Sequence, residues 1–82
     1  MKKTTNYRIV IDTTGLSCPL PVLRVRKNLP LLKKKDLALI IADDPLAEID
    51  LGHFCSIKGY EIRNISSNKS DTKQYYEIMC KN

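Results

Sequence analysis

The stretch TTGLSCPLPVLRVRKNL, residues 13–29, predicts a turn that is followed directly by an α-helix. Apolar side chains recur along it at the spacing of one helical face. We expect the helix to run from Pro19 to about Leu29, with Cys18 at the N-cap position, where Ser, Thr, Asp or Asn is usual. The sequence therefore predicts a cysteine at the N-terminus of a helix whose first turn is made rigid by two prolines.

Cys18 at an N-cap would lie over unpaired backbone N–H groups and the positive end of the helix dipole. Both features favour the thiolate and predict a lowered thiol pKa. Pro19 and Pro21 would take positions N1 and N3, which need no intrahelical N–H bond, and would hold the backbone near the sulfur rigid. The alternative is a small buried cysteine beside prolines that only start a helix. The Cys-Pro-x-Pro context argues against that alternative.

The helix also predicts an exposed apolar surface beside the sulfur. Leu20, Leu23 and Leu31 fall on the side away from the core face, interleaved with Arg24 and Lys27. Exposed leucines around a reactive group indicate a protein-docking surface. A chain of this size leaves little room for a deep substrate pocket.

The remaining chain alternates between strand and helix patterns. Strands are predicted at residues 7–12, 36–42, 60–65 and 73–80, a second helix ends at about Ile57, and a polar loop covers residues 66–72. The order βαβαββ predicts one α/β domain over residues 1–82: a two-layer sandwich in which two helices cover one face of a four-stranded mixed sheet. A right-handed crossover should join the first two strands in parallel, and the last two strands should form a hairpin.

Both helices carry further boundary residues. Pro30 should end or bend the first helix and leave a loose turn at residues 31–35. Asp43 and Asp44 should lie at the positive pole of the second helix, with Pro45 at its first position and Gly59 at its end. The predicted apolar face of that helix is Leu46, Ala47, Leu51, Phe54 and Ile57.

Composition narrows the class of protein. The chain has 82 residues, 43% of them hydrophobic and 28% charged, with a net charge of +5, which is typical of a globular domain. No apolar run is long enough to span a membrane, and no apolar segment of a signal peptide follows the basic start. The three cysteines form no Cys-x-x-Cys pair, so we expect free thiols in a reducing cytoplasm, without a metal or other cofactor.

Cys55, Cys80 and His53 have mainly structural interpretations. Cys55 could be a resolving thiol for Cys18 in a redox-regulatory protein, but semi-buried packing is the more usual role. Core packing is expected for Cys80. His53 could lie near the sulfur or bind metal, although a single histidine is more often a surface residue.

RNA binding is a further alternative, since the chain is basic and Tyr7, Tyr60 and Tyr75 could stack bases from one sheet face. No basic-aromatic motif accompanies these tyrosines, so we do not expect direct nucleic-acid binding. This alternative also leaves the sequence Cys-Pro-Leu-Pro unexplained.

The segment GLSCPLPVLRVRK resembles the Cys-Pro-x-Pro signature of the TusA/SirA-type sulfur-carrier family. The segments ADDP and FCSIKGYEI lie where that family has its second helix and third strand, so the resemblance covers nearly the whole chain. It implies a sheet with strand order 1-2-4-3. It also implies a cysteine that takes sulfane sulfur as a persulfide from a cysteine desulfurase or other donor. That sulfur then passes to an acceptor protein, for tRNA thiolation, molybdenum-cofactor synthesis or other sulfur metabolism.

Carried over residue by residue, the resemblance makes Cys18 the persulfide carrier, with Pro19 and Pro21 fixing the corner after Gly15. Arg26 and Asp44 match family positions and are expected to help form the docking surface. Together with the exposed Leu20 and Leu23, these are the expected partner-binding residues. Leu20 stands where some members have Glu, which bears on the choice of partner.

Overall fold

Residues 7–66 and 73–80 are described by a computed structural model. Its elements, in chain order, are β1 (Ile9–Asp12), α1 (Leu20–Asn28), a 3-10 turn (Leu29–Leu31), β2 (Leu37–Ala42), α2 (Ala47–Lys58), β3 (Tyr60–Asn64) and β4 (Gln74–Cys80). The predicted element order is confirmed. The predicted polar loop lies outside the described residues from position 67 to 72.

The sheet has the order β1-β2-β4-β3, as the family resemblance implied. β1 and β2 are parallel, and β4 is antiparallel to both β2 and β3. Both helices cover one face of this mixed sheet, so the predicted two-layer sandwich is confirmed. Because β1 and β2 are parallel neighbours, their carboxyl ends meet at one sheet edge, and the loops that lead into α1 and α2 both begin there.

The core lies between the helices and the covered sheet face. Val25 and Leu29 are fully buried from α1 and its 3-10 turn, and Leu51 and Cys55 from α2. On β2, side chains alternate between buried and half-buried, as expected for a central strand with one face under helices. The buried hydrophobic side chains are Ile11, Val25, Leu29, Leu32, Ala38, Ile40, Ala42, Ala47, Leu51, Cys55, Tyr76 and Ile78.

The predicted apolar face of α2 is partly wrong. Leu46 is 51% exposed and Ile57 is 69% exposed, whereas Cys55, which is not part of the predicted face, is 1% exposed. The sheet contacts the helix along the line of Ala47, Leu51 and Cys55, which are four residues apart and therefore share one narrow stripe. The helix ends as predicted, with Gly59 in the left-handed region at φ 82°.

Helix starts differ from the sequence prediction. α1 begins at Leu20 with Pro19 at the N-cap position, so Cys18 precedes the cap and Pro21 is the second helical residue. Pro30 ends α1 as expected, since α1 stops at Asn28 and residues 32–35 are not helical; the predicted loose turn is wrong only at Leu31, which closes a 3-10 turn that Pro30 can enter because an N–H in its first positions has no partner within the turn. α2 begins at Ala47, two residues after Pro45.

Candidate functional site

The loop that carries Cys18 is fixed at its start by Thr13. This threonine is fully buried, and both its backbone N–H and its Oγ1 donate to the carbonyl oxygen of Ile41, each at 2.7 Å. These bonds extend the β1–β2 pairing by one residue. The chain then turns at Gly15, whose φ of 84° lies in the left-handed region that favours glycine.

Two aspartates from the end of β2 hold this loop. The carboxylate of Asp43 accepts the N–H of Gly15, with both oxygens at 3.1 Å. The Oδ2 of Asp44 accepts the N–H of Cys18, and its Oδ1 accepts the N–H of Leu46 at 3.3 Å. The prediction that both aspartates cap α2 is therefore wrong in part, because their main partners are backbone N–H groups of the Cys18 loop.

Cys18 is exposed, and its peptide bond to Pro19 is cis. The sulfur does not cap the helix: the N-cap of α1 is Pro19, and no side chain makes a capping hydrogen bond there. The sulfur therefore does not make the expected contact with the unpaired backbone N–H groups at the start of α1. Pro21 is buried and anchors the first turn of α1 against the core.

Asp50 in the first turn of α2 binds the sulfur. The thiol of Cys18 donates a hydrogen bond to Oδ2 of Asp50 at 2.7 Å. That hydrogen bond, together with desolvation and the negative charges of Asp50 and Asp44, raises the pKa of the Cys18 thiol above its ordinary value of 9.0. The predicted lowering of the pKa is therefore wrong, because the thiol donates to the Asp50 carboxylate and does not cap α1, which starts two residues later.

An open groove of about 320 Å³ runs beside Cys18 between α1 and α2. Its apolar wall is made by Val22 and Leu23 from α1 and by Phe54 and Ile57 from α2. Arg26, Asp50 and His53 add the polar lining. Both helices line the groove, which extends from Cys18 at the start of α1 along the two helices.

The predicted docking residues divide into two sets. Leu23 and Arg26 line the groove with Cys18. Leu20 is exposed at 49% but does not line the groove, and Leu31 at 63% is also away from it. Asp44 supports the Cys18 loop through carboxylate oxygens that accept backbone N–H groups, and it does not line the groove.

The other candidate residues take structural places. Cys55 is buried, and burial raises the pKa of its thiol to about 11, which makes it unsuited to attack or to resolve a bond at Cys18. Cys80 is half-buried against the core, and none of the cysteines forms a disulfide. His53 lies in the groove wall. In the part of the chain that the structure describes, no group of acidic, histidine and cysteine side chains could hold a metal ion.

The three tyrosines proposed for base stacking do not all lie on one sheet face. Tyr60 pairs with Cys80 across the β3–β4 ladder and lies on the helix side, where its ring contacts Phe54 at a centroid distance of 6.0 Å. Tyr75 is one residue from the buried Tyr76 and lies on the uncovered face. The hydroxyl of Tyr7 donates to Glu77, which lies on the same face as Tyr75. The expected three-tyrosine surface is therefore wrong at Tyr60, which the alternation of side chains along β3 puts on the opposite face.

Sequence reasoning missed Asp50, Phe54 and Ile57 as residues of the site. A topological argument finds Asp50: both helices follow parallel strands, so their first turns meet at one edge of the sheet. The first turn of α2 therefore lies near the loop at the head of α1, where the carboxylate of Asp50 reaches Cys18, whereas that of Glu48 from the same turn faces Asn64. Distances between side chains on separate helices still require the structure.

The fold and the site define a small two-layer α/β protein that presents one exposed thiol at the end of an open groove. The family model for sulfurtransferase TusA matches residues 9–81, which is nearly the whole chain. The chain therefore belongs to the TusA sulfurtransferase family, which places it among sulfur carriers and implies partners in sulfur transfer.

A solved structure supports the fold. The crystal structure of the SirA-like protein from Desulfitobacterium hafniense has a TM-score of 0.75 with this chain at 23% sequence identity, and covers 90% of this chain and 99% of its own. None of the helices within residues 7–66 and 73–80 has the length and apolar character needed to cross a membrane.

Proposed function

We propose that this chain acts as one sulfur-carrier domain, residues 1–82, in the cytoplasm. Cys18 accepts sulfane sulfur as a persulfide from a cysteine desulfurase or related donor and passes it to an acceptor protein. The acceptor pathway is tRNA thiolation, molybdenum-cofactor synthesis or other sulfur metabolism. Family membership and the exposed thiol support this role.

The observation that carries the proposal is the position of the only exposed cysteine. Cys18 lies at the end of a groove that another protein can reach, while Cys55 is buried and Cys80 half-buried. A relay needs an accessible sulfur and a surface for successive partners. The apolar groove wall and the exposed guanidinium of Arg26 supply such a surface.

The chemistry is an exchange without net oxidation. The Cys18 thiolate attacks the outer sulfur of the donor persulfide, a new sulfur–sulfur bond forms, and the bond within the donor breaks. The donor cysteine leaves as a thiolate and takes the proton that Cys18 has lost. In the onward step, an acceptor thiolate attacks the outer sulfur, and Cys18 leaves and regains a proton.

Intact-protein mass spectrometry after incubation with a cysteine desulfurase and cysteine, without reductant, tests the proposal. We expect the wild type to gain the mass of one sulfur atom and to lose it on addition of reductant. Cys18→Ser should gain nothing, whereas Cys55→Ser should load like the wild type because Cys55 is buried. Sulfur on Cys18→Ser, or no loading by several desulfurases while Cys18 still reacts with alkylating reagents, would contradict the proposal.

A further inference from the structure

The hydrogen bond between Cys18 and Asp50 joins the two helices at the sulfur. Cys18 precedes α1, Asp50 belongs to the first turn of α2, and Sγ lies 2.7 Å from Oδ2. An ionised carboxylate only accepts hydrogen bonds, so the proton of this contact belongs to the sulfur. The contact therefore favours the thiol, while sulfur transfer needs the thiolate.

The charges around the sulfur are unbalanced. Asp44 faces Cys18 from the loop before α2, and Asp50 faces it from α2 itself. Arg26 from α1 and His53 from α2 line the same groove. Across residues 7–66 and 73–80, neither of them forms an ion pair with Asp50. The negative charge beside the thiol is thus left without a cation from the described part of the chain.

We propose that Asp50 is a positioning residue that restrains Cys18 as a hydrogen-bonded thiol in the free protein, and that a cationic side chain of the docked sulfur donor releases it by pairing with this carboxylate. This inference rests on the proposed function. Asp50 is half-exposed, so an incoming cationic side chain can reach its carboxylate, and Phe54 and Val22 line the same groove, where they can contact the apolar stem of that side chain. An Arg guanidinium or Lys ammonium paired with Asp50 is the contact that residues 7–66 and 73–80 do not supply.

Release makes the transfer conditional on docking. When the cation pairs with Asp50, the carboxylate no longer favours the sulfur-bound proton. The thiol proton then passes to the leaving thiolate of the donor as Cys18 forms its bond to the outer sulfur. Cys18–SH and donor–S–SH thus react to give Cys18–S–SH and donor–SH, with no net oxidation. Outside the complex, the restrained thiol reacts slowly with oxidants and electrophiles.

Alkylation kinetics test the restraint without any sulfur donor. The rate of iodoacetamide reaction at Cys18 is measured against pH for the wild type, Asp50→Asn and Asp50→Ala. The matched control is Glu48→Gln, which removes one charge from the same helix turn, where Glu48 faces Asn64 at 3.4 Å instead of the sulfur. Cys18→Ser gives the background, and circular dichroism checks that each variant folds.

We expect both Asp50 variants to shift the midpoint of the pH–rate profile to lower pH, and Glu48→Gln to keep the wild-type profile. A shift of about one pH unit would raise the reactive fraction at neutral pH about tenfold. Folded Asp50 variants with the wild-type midpoint, or a midpoint moved to higher pH, would overturn the restraint.

Charged methanethiosulfonate reagents test the cation. Rates at Cys18 are measured with a cationic and an anionic reagent and divided by their rates with a small free thiol. We expect the cationic preference to be severalfold larger in the wild type and in Glu48→Gln than in Asp50→Asn. Equal preference in all three proteins would overturn release by a cation.

These outcomes are separate from the proposed function. If Cys18 loads with sulfur while the Asp50 variants behave as wild type, the restraint is wrong and the carrier role stands. If the Asp50 variants shift as expected but no donor loads Cys18, the carrier role is wrong and the restraint stands as a property of the thiol.

Discussion

Replacement of Asp44 by alanine should loosen the Cys18 loop and destabilise the protein. The carboxylate accepts the N–H groups of Cys18 and Leu46, and alanine leaves both to water. A net hydrogen bond to a charged group contributes about 1.5–3 kcal/mol when buried, and less at a half-exposed position such as this one. We therefore expect a loss of about 1–2 kcal/mol, which lowers the unfolding midpoint of a domain of this size by about 5–15 °C.

Thermal and urea unfolding followed by circular dichroism measure this loss. Asp44→Asn keeps a carbonyl oxygen for one N–H group and should fall between the wild type and Asp44→Ala. Asp43→Ala, which removes the acceptor of the Gly15 N–H group, allows a double-mutant cycle. Because the two aspartates hold one loop, the combined loss should be smaller than the sum of the single losses. An Asp44→Ala protein as stable as the wild type would refute the reasoning.

Three further predictions concern α2, the core and the groove. Gly59→Ala should destabilise the protein by about 1 kcal/mol or more, since φ there is 82°. Gly52→Ala should stabilise the protein by about 0.5–1 kcal/mol, because Gly52 lies in the helix interior and an added Cβ would have nothing within 4 Å. Urea unfolding measures both changes. The folded Cys55 thiol has its pKa raised from 9.0 to about 11, so its stabilisation is present below pH 9.0 and is lost as pH rises through about 11. The stability advantage of the wild type over Cys55→Ala should therefore narrow in alkaline urea titrations, and a constant difference would contradict this. Leu23→Asp should slow sulfur loading of Cys18 severalfold, while Leu31→Asp, exposed outside the groove, should not; equal loading rates would exclude the groove as the docking surface.

The element order followed from the sequence because it depends on patterns that single segments carry. Period-two alternation puts Tyr76 and Ile78 on one side of β4, and a spacing of four residues puts Val25 and Leu29 on one helical face; the structure buries both pairs. Strand order came from the family resemblance. These features need no knowledge of distances between segments.

The protonation preference of the Cys18 thiol could not be predicted from the sequence, because it depends on a contact between residues from separate elements. Local reasoning at Cys18 included only the helix that follows it, and that helix starts later than the cysteine-cap pattern suggested. Asp50 is far along the chain, yet its carboxylate reaches the sulfur across the helix pair. The exposure of Ile57 was missed for a similar reason, since the width of the buried stripe on α2 is set by the sheet beneath it.

The burial of Cys55 determines how a loaded carrier would lose its sulfur. A persulfide beside an accessible thiol of the same chain decays in a first-order reaction, by closing a disulfide and releasing sulfide. Cys55 is covered by the core and Cys80 is half-buried, so neither is presented to the groove where Cys18 lies. Decay therefore requires an encounter with a second molecule. The lifetime of the loaded form should lengthen on dilution, and the concentration of partner proteins rather than the chain itself should set how long the sulfur is held.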